Sequence, residues 1–141
     1  MISVTSQSEK YILQPSLLGM HHETTEWISA CELWKRELTF FQKLLEQHAP
    51  KMAEVEFKKQ IDHYQHLITY YQGELVDLLR KKLKDHEKKL ALMLKELNES
   101  DTRYFKEHAG IMDEVAGFAK VFAEFKHSFF EFIERGFSAY H

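Results

Sequence analysis

Two histidines stand at positions where a helical heptad pattern calls for apolar residues. His86 lies between Leu83 and Leu90, and His108 lies four residues after Tyr104, each at the spacing of one helix face. An imidazole in a buried row loses its hydration unless a hydrogen-bond partner or a metal ion replaces the water. These two histidines are therefore the strongest candidates for chemistry in the chain.

Carboxylates near both histidines suggest a metal site. Two helices joined by a turn near residue 100 place Asp113 level with His86, and bundles hold transition metals with imidazoles and carboxylates from several helices. This register separates the two histidines by roughly 7 Å along the helices. We therefore favour histidines satisfied by a carboxylate or a water, with a zinc or iron site as the alternative. The candidate ligands are His86, Glu87, His108, Asp113 and Glu114.

A second polar cluster is predicted between the first two helices. Glu37 interrupts an apolar row, and the hairpin register places it level with His63. A buried carboxylate is stabilised by a charged partner. We predict a structural ion pair between Glu37 and His63, with metal binding by this pair and His66 as the alternative.

Three long helices must position these residues. Apolar residues at alternating four- and three-residue spacing predict helices over about residues 24–48, 51–97 and 102–137. The second helix contains Gly73 and a four-residue stutter at 75–79, which a continuous helix tolerates. We predict an all-α antiparallel bundle of three long helices with a long central helix. A break near Gly73 would make it a four-helix bundle.

The unequal helix lengths leave an apolar row without cover. Under the predicted register, the first helix covers the second only as far as about residue 76. Either an N-terminal arm at residues 1–20, preceding a single domain at 21–141, or a second copy of the chain must cover the rest. We predict a homodimer. The uncovered row consists of Leu79, Leu83, Leu90 and Met93.

Composition excludes several classes of function. The 141 residues are 44% hydrophobic and 29% charged, with a net charge of −3, which gives no reason to expect nucleic acid as a partner. No apolar run is long enough to span a membrane. The single Cys31 cannot form an internal disulfide, and the N-terminus lacks the apolar core of a signal peptide, so we expect a cytoplasmic protein.

Three short segments resemble those of small, uncharacterised bacterial helical-bundle proteins: Trp34–Leu38, Asp62–Gln65 and His86–Glu87. The likeness spans about residues 22–135 and implies a helical bundle without implying an activity. A phosphate-binding loop and a nucleophile beside a histidine are both missing, so an enzyme is the least favoured class. We predict a non-catalytic binding or scaffolding module that acts through self-association and its surface, with a protein partner allowed. A metal-binding bundle is the alternative.

Overall fold

The chain is an all-α bundle of three long helices. The computed structural model describes the backbone of residues 15–51, 54–95 and 102–140, and the side chains of residues 17–51, 54–95 and 102–136. No strand occurs within these ranges, and none of the described helices has a stretch apolar enough to cross a membrane. The elements are α1 (Pro15–His48), a 3₁₀ turn (Ala49–Lys51), α2 (Val55–Thr69), a π-helical segment (Tyr70–Val76), α3 (Asp77–Lys95) and α4 (Thr102–Tyr140).

The second long helix is continuous, as predicted. The segments α2, π and α3 follow one another without a break, and the helix passes through Gly73. An alanine Cβ at Gly73 would meet nothing within 4 Å, so this glycine marks neither a turn nor a close approach. The three-helix prediction is therefore confirmed, and the four-helix alternative is wrong.

The predicted stutter takes the form of a π-helical turn. The Asp77 backbone N–H donates to the carbonyl of Gln72, five residues earlier. The buried row makes the same five-residue step from Tyr71 to Val76. One extra residue in the turn therefore brings Val76 into the core, whereas Leu75 is only half-buried.

Helix α1 begins at Pro15, nine residues before the predicted start near Thr24. Proline fits the first turn of a helix because it needs no backbone donor there. Leu17 and Thr24 are both fully buried, and the Thr24 hydroxyl donates to the Met20 carbonyl, 2.8 Å away. Residues 15–20 of the predicted arm at residues 1–20 are thus part of α1. Residues 1–14 of that arm lie outside the described residues.

Contacts divide the chain into two compact units, where the sequence predicts one domain at 21–141. Within the described residues, the first unit comprises 15–31, 79–95 and 102–115, and the second comprises 32–51, 54–78 and 116–140. Each unit therefore draws on all three long helices.

The apolar row that was predicted to need a second copy is covered inside the first unit. Its four members are buried, and Leu17 packs in one cluster with Leu90, Met93, Leu94 and Tyr104. The early start of α1 thus supplies cover for Leu90 and Met93. The row therefore no longer argues for a homodimer.

The second unit has an aromatic core. Four phenylalanines of α4 stack along one face with ring centroids 5.5, 5.9 and 5.6 Å apart. Phe41 of α1 approaches the last of them at 4.9 Å. Large rings at heptad spacing bury much apolar area and fix the distance between helices. The stacked residues are Phe118, Phe122, Phe125 and Phe129.

We expect Leu83→Ala to lower the free energy of unfolding by about 2–5 kcal/mol, because Leu83 is fully buried and its loss leaves a cavity. The matched control is Leu92→Ala on the same helix, where 54% of the side chain is exposed. We expect the control to change stability by less than about 0.5 kcal/mol. Urea unfolding of both variants measures the difference, and equal effects would contradict the described face of α3.

We expect Gly73→Ala to raise the free energy of unfolding by about 0.5–1 kcal/mol, since alanine has the higher helix propensity and its Cβ has room. Thermal melting or urea unfolding measures the change. A loss of stability would contradict the open space described around Gly73.

Candidate functional site

Two buried imidazoles meet in the first unit. His86 of α3 is 0% exposed and His108 of α4 is 3% exposed. The His86 Nε2 atom lies 3.0 Å from the His108 Nδ1 atom, which is hydrogen-bonding distance. The structure therefore brings together the two histidines that the sequence singles out.

A carboxylate binds the outer nitrogen of each imidazole. Glu107 Oε1 lies 2.6 Å from His86 Nδ1, and Glu23 Oε1 lies 2.9 Å from His108 Nε2. The second oxygen of Glu107 accepts from the Lys89 ammonium. We call Glu107, His86, His108 and Glu23, in this order, the histidine network. All four ring nitrogens in it contact a protein atom.

Aromatic rings enclose the pair on both sides. The Tyr104 ring stacks on His86 with centroids 4.1 Å apart and planes 1° apart. The Trp27 ring stacks on His108 with centroids 4.8 Å apart. One face of each imidazole is thus covered by a ring, and the network is exposed at its two carboxylates, Glu23 at 46% and Glu107 at 32%.

Helical spacing positions every member of this site. On α1, Glu23 and Trp27 are four residues apart, and on α4, Tyr104 and His108 are also four apart, so each pair shares one face. Glu107 precedes His108 directly and reaches His86 on the neighbouring helix. Each of the three helices therefore contributes a side chain to the network.

A second histidine–carboxylate pair lies in the first unit. His21 Nδ1 of α1 is 2.7 Å from Glu87 Oε2 of α3, and His21 is buried. Glu87 is one of the predicted metal ligands. In the structure its carboxylate pairs with His21 instead.

Burial and charge shift three pKa values at this site. Burial lowers the pKa of His86, although its hydrogen bond to Glu107 opposes the shift. Burial alone would raise the pKa of Glu107, but its hydrogen bonds from Lys89 and His86 outweigh this and lower it. Burial raises the pKa of the Tyr104 hydroxyl, and the negative charges of Glu87 and Glu107 add to the shift. The network thus favours an ionised Glu107 beside a neutral His86.

The predicted metal site does not assemble. Asp113 is exposed, and Glu114 is an exposed partner of Lys82, 2.8 Å away. Among the described side chains, no three histidine, cysteine, aspartate or glutamate groups are placed to hold a metal ion. The favoured interpretation, in which carboxylates satisfy the histidines, describes the geometry. The carboxylates that contact the two histidines are Glu107 and Glu23, and neither is among the residues predicted from the sequence.

An axial shift explains the difference. Residues of α3 and α4 that touch, such as His86 with His108 or Lys82 with Glu114, have numbers summing to 193–196 rather than the expected 199. His86 therefore faces His108 instead of Asp113, five residues away, or about 7.5 Å along a helix. Glu107 could have been found from its place beside His108. Glu23 could have been found by extending the α1 row back through Thr24 to Leu17.

The predicted ion pair between Glu37 and His63 is wrong. Glu37 Oε2 lies 3.1 Å from the Lys126 ammonium in the second unit, and the exposed His63 ring packs on Tyr64. Here too the register differs, because α1 faces the second helix at positions summing to 107–112, as Gln72 does with Thr39 and Lys35, rather than about 100. His63 is therefore not level with Glu37.

Comparison of the chain with protein-family models, curated proteins and solved structures finds no match. The resemblance of its three short segments to bacterial helical-bundle proteins stays a prediction. The function must therefore be inferred from the geometry of the described residues.

Acid is expected to destabilise the protein through the network. The pKa values of His86 and Glu107 are both lowered from ordinary values of 6.5 and 4.5, so the unfolded chain takes up protons that the folded protein resists. The free energy of unfolding should therefore fall as the pH drops below about 6.5, by at most about 1.4 kcal/mol per pH unit for each proton. Urea unfolding at a series of pH values measures this slope.

The matched variants for this prediction are His86→Gln and His63→Gln. The first removes a buried titrating group, and the second makes the same change at an exposed position. We expect His86→Gln to flatten the slope between about pH 6.5 and pH 5, and His63→Gln to leave it unchanged. Identical slopes in the two variants would contradict the role of His86.

Proposed function

We propose that the protein is a non-catalytic helical-bundle module that acts by binding through its surface, with a second copy of itself as the partner. The observation that carries this proposal is a mixed apolar and basic face on α1. The side chains best suited to acid–base chemistry, His86 and His108, support a non-catalytic function because a substrate cannot reach them. Both are buried, and all four of their ring nitrogens contact protein atoms, which leaves none for a substrate.

The α1 face lies in the second unit. Leu33 and Phe40 are 57% and 56% exposed although both are large and apolar. They stand seven residues apart, and Arg36 and Lys43 follow them at three-residue offsets. Helical geometry places these side chains, with Glu32, within about a third of the helix circumference. We call these five residues the α1 face. Exposed apolar side chains bordered by charges are typical of a surface that binds another protein.

Charge placement favours a second copy as the occupant. Glu32 lies at one end of the α1 face and Lys43 at the other. An antiparallel copy therefore brings Glu32 of each chain to Lys43 of the other, and both acid–base pairs form together. The same alignment places the Phe40 ring near Arg36 of the other copy, which is a favourable cation–π arrangement.

This partner replaces the one inferred from the sequence. The homodimer predicted from the sequence would use the apolar row that contains Leu83, and that row is covered within the chain. The proposed dimer instead uses side chains that the bundle leaves exposed. A single helix face buries less area than a standard interface, so we expect weak association.

A reducing cytoplasm is the proposed location. The single cysteine, Cys31, is buried, and the chain has no second cysteine with which to form an internal disulfide. This composition is typical of proteins that fold in the cytoplasm.

Light scattering over micromolar to millimolar concentrations tests the proposal. We expect the mass of the wild-type protein to rise from monomer toward dimer. The double variant Leu33→Ser/Phe40→Ser should stay monomeric, because it removes the apolar part of the α1 face. The control Leu78→Ser changes a side chain that is 58% exposed outside this face and should associate like the wild type.

A charge exchange tests the antiparallel alignment. We expect Glu32→Lys and Lys43→Glu each to weaken the dimer, because each places like charges opposite one another. The double exchange should restore it. A monomer at every concentration would contradict self-association, whereas a dimer insensitive to the exchange would contradict this alignment alone.

A further inference from the structure

The three contacts of the histidine network need three protons. A hydrogen bond joins each adjacent pair in the order Glu107, His86, His108, Glu23. Two neutral imidazoles carry only two ring protons. If each donates to its carboxylate, His86 Nε2 and His108 Nδ1 face one another with lone pairs only 3.0 Å apart. That contact repels unless a proton lies in it.

The network holds one additional proton and no more. A third proton on the two rings turns the contact between His86 and His108 into a hydrogen bond. A fourth would place two N–H groups head to head at 3.0 Å and two positive charges on neighbouring rings whose centroids are 5.2 Å apart. We therefore propose that the network is a binding site for a single excess proton, which makes His108 an imidazolium.

The surroundings place the charge on His108 rather than on His86. Trp27 stacks on His108, and an indole face attracts a cation. The Glu23 carboxylate binds the outer nitrogen of His108 at 2.9 Å. His86 is fully buried, and burial lowers its pKa, so it is the better neutral member. It then accepts from His108 through Nε2 and donates to Glu107 through Nδ1.

With the proton on His108, the charges of the network and Lys89 cancel. Glu107 is paired with Lys89, and Glu23 is paired with the His108 imidazolium. The neutral His86 lies between the two pairs. A buried cation is tolerated when it is paired and hydrogen-bonded, so this proton placement removes the main cost of burying the site.

The groups facing the site come from each of the three helices. They are Glu23, Trp27 and the His21 imidazole on α1, His86, Glu87 and Lys89 on α3, and Tyr104, Glu107 and His108 on α4. Above the ordinary histidine pKa, the unfolded chain has neutral imidazoles. Folding of this unit therefore takes up a proton, and alkaline pH opposes it.

Nitrogen-15 NMR of the imidazoles in the wild-type protein at pH 7 tests the proton placement. We expect both nitrogens of His108 to carry a proton, and His86 to carry one on Nδ1 alone. A neutral His108 with a single ring proton would overturn the proposal, whether the third proton then resides on Glu23 or is missing. This measurement needs no variant and so cannot fail through misfolding.

The variant Glu23→Gln tests the charge partner. Glutamine keeps the acceptor oxygen but removes the negative charge, so the fraction of His108 with two ring protons at pH 7 should fall about tenfold or more. The control Glu26→Gln makes the same charge change at an exposed position on the same helix and should leave this fraction unchanged. Equal effects of both variants would show a general charge effect and overturn the specific pairing.

Zinc addition distinguishes a proton site from a metal site, since both would use His86 Nε2 and His108 Nδ1. We expect zinc to leave the imidazole spectrum and the melting temperature unchanged at equimolar concentration. Loss of the His108 ring proton together with a raised melting temperature would show that the two nitrogens bind a metal ion, and would overturn the proposal.

Discussion

The cost of burying two imidazoles is the constraint on which the first unit depends. His86 and His108 are almost inaccessible to water, so each ring nitrogen that water would have bound must find a partner within the protein. The partners come from α1, α3 and α4, and they meet in the axial alignment that the structure shows. The aromatic rings of Trp27 and Tyr104 then exclude the remaining water. The polar network therefore fixes an alignment that apolar packing alone would leave open.

The second unit reaches a defined alignment by other means. Stacked phenylalanines of α4 supply its core, and Phe41 and Tyr64 interlock with them. The π-helical turn inserts one residue so that Val76 continues the buried row. Polar contacts at its edge, from Lys126 to Glu37 and from Lys35 to Asp77, are partly exposed and contribute less. Shape rather than buried charge specifies this unit.

The same enclosure that stabilises the histidines argues against catalysis by them. A catalytic histidine needs a ring nitrogen that a substrate can reach. Here both nitrogens of each ring already contact a protein side chain. What the helices leave exposed is a face of α1, where Leu33 and Phe40 stand in water beside basic residues. The polar histidines are thus buried, whereas two large apolar side chains are exposed. That division is the basis of the two proposals, a binding surface on α1 and a proton site between the buried histidines.

The sequence alone determined the three helices and their apolar rows, because helical periodicity is a local property. It also placed His86 and His108 in those rows. The start of α1 could also have been predicted from the sequence, since the buried row of α1 continues back to Leu17. The axial alignment of the helices could not be predicted in this way. A bundle that slides by one heptad keeps the same apolar residues in its core, so the heptad pattern does not distinguish Asp113 from Glu107 as the partner of His86, nor His63 from Lys126 as the partner of Glu37. Only the packing of all three helices decided these partners. A hydrogen bond forms within a narrow range of donor–acceptor distances, so it requires one axial alignment, whereas the hydrophobic effect has no direction and allows several.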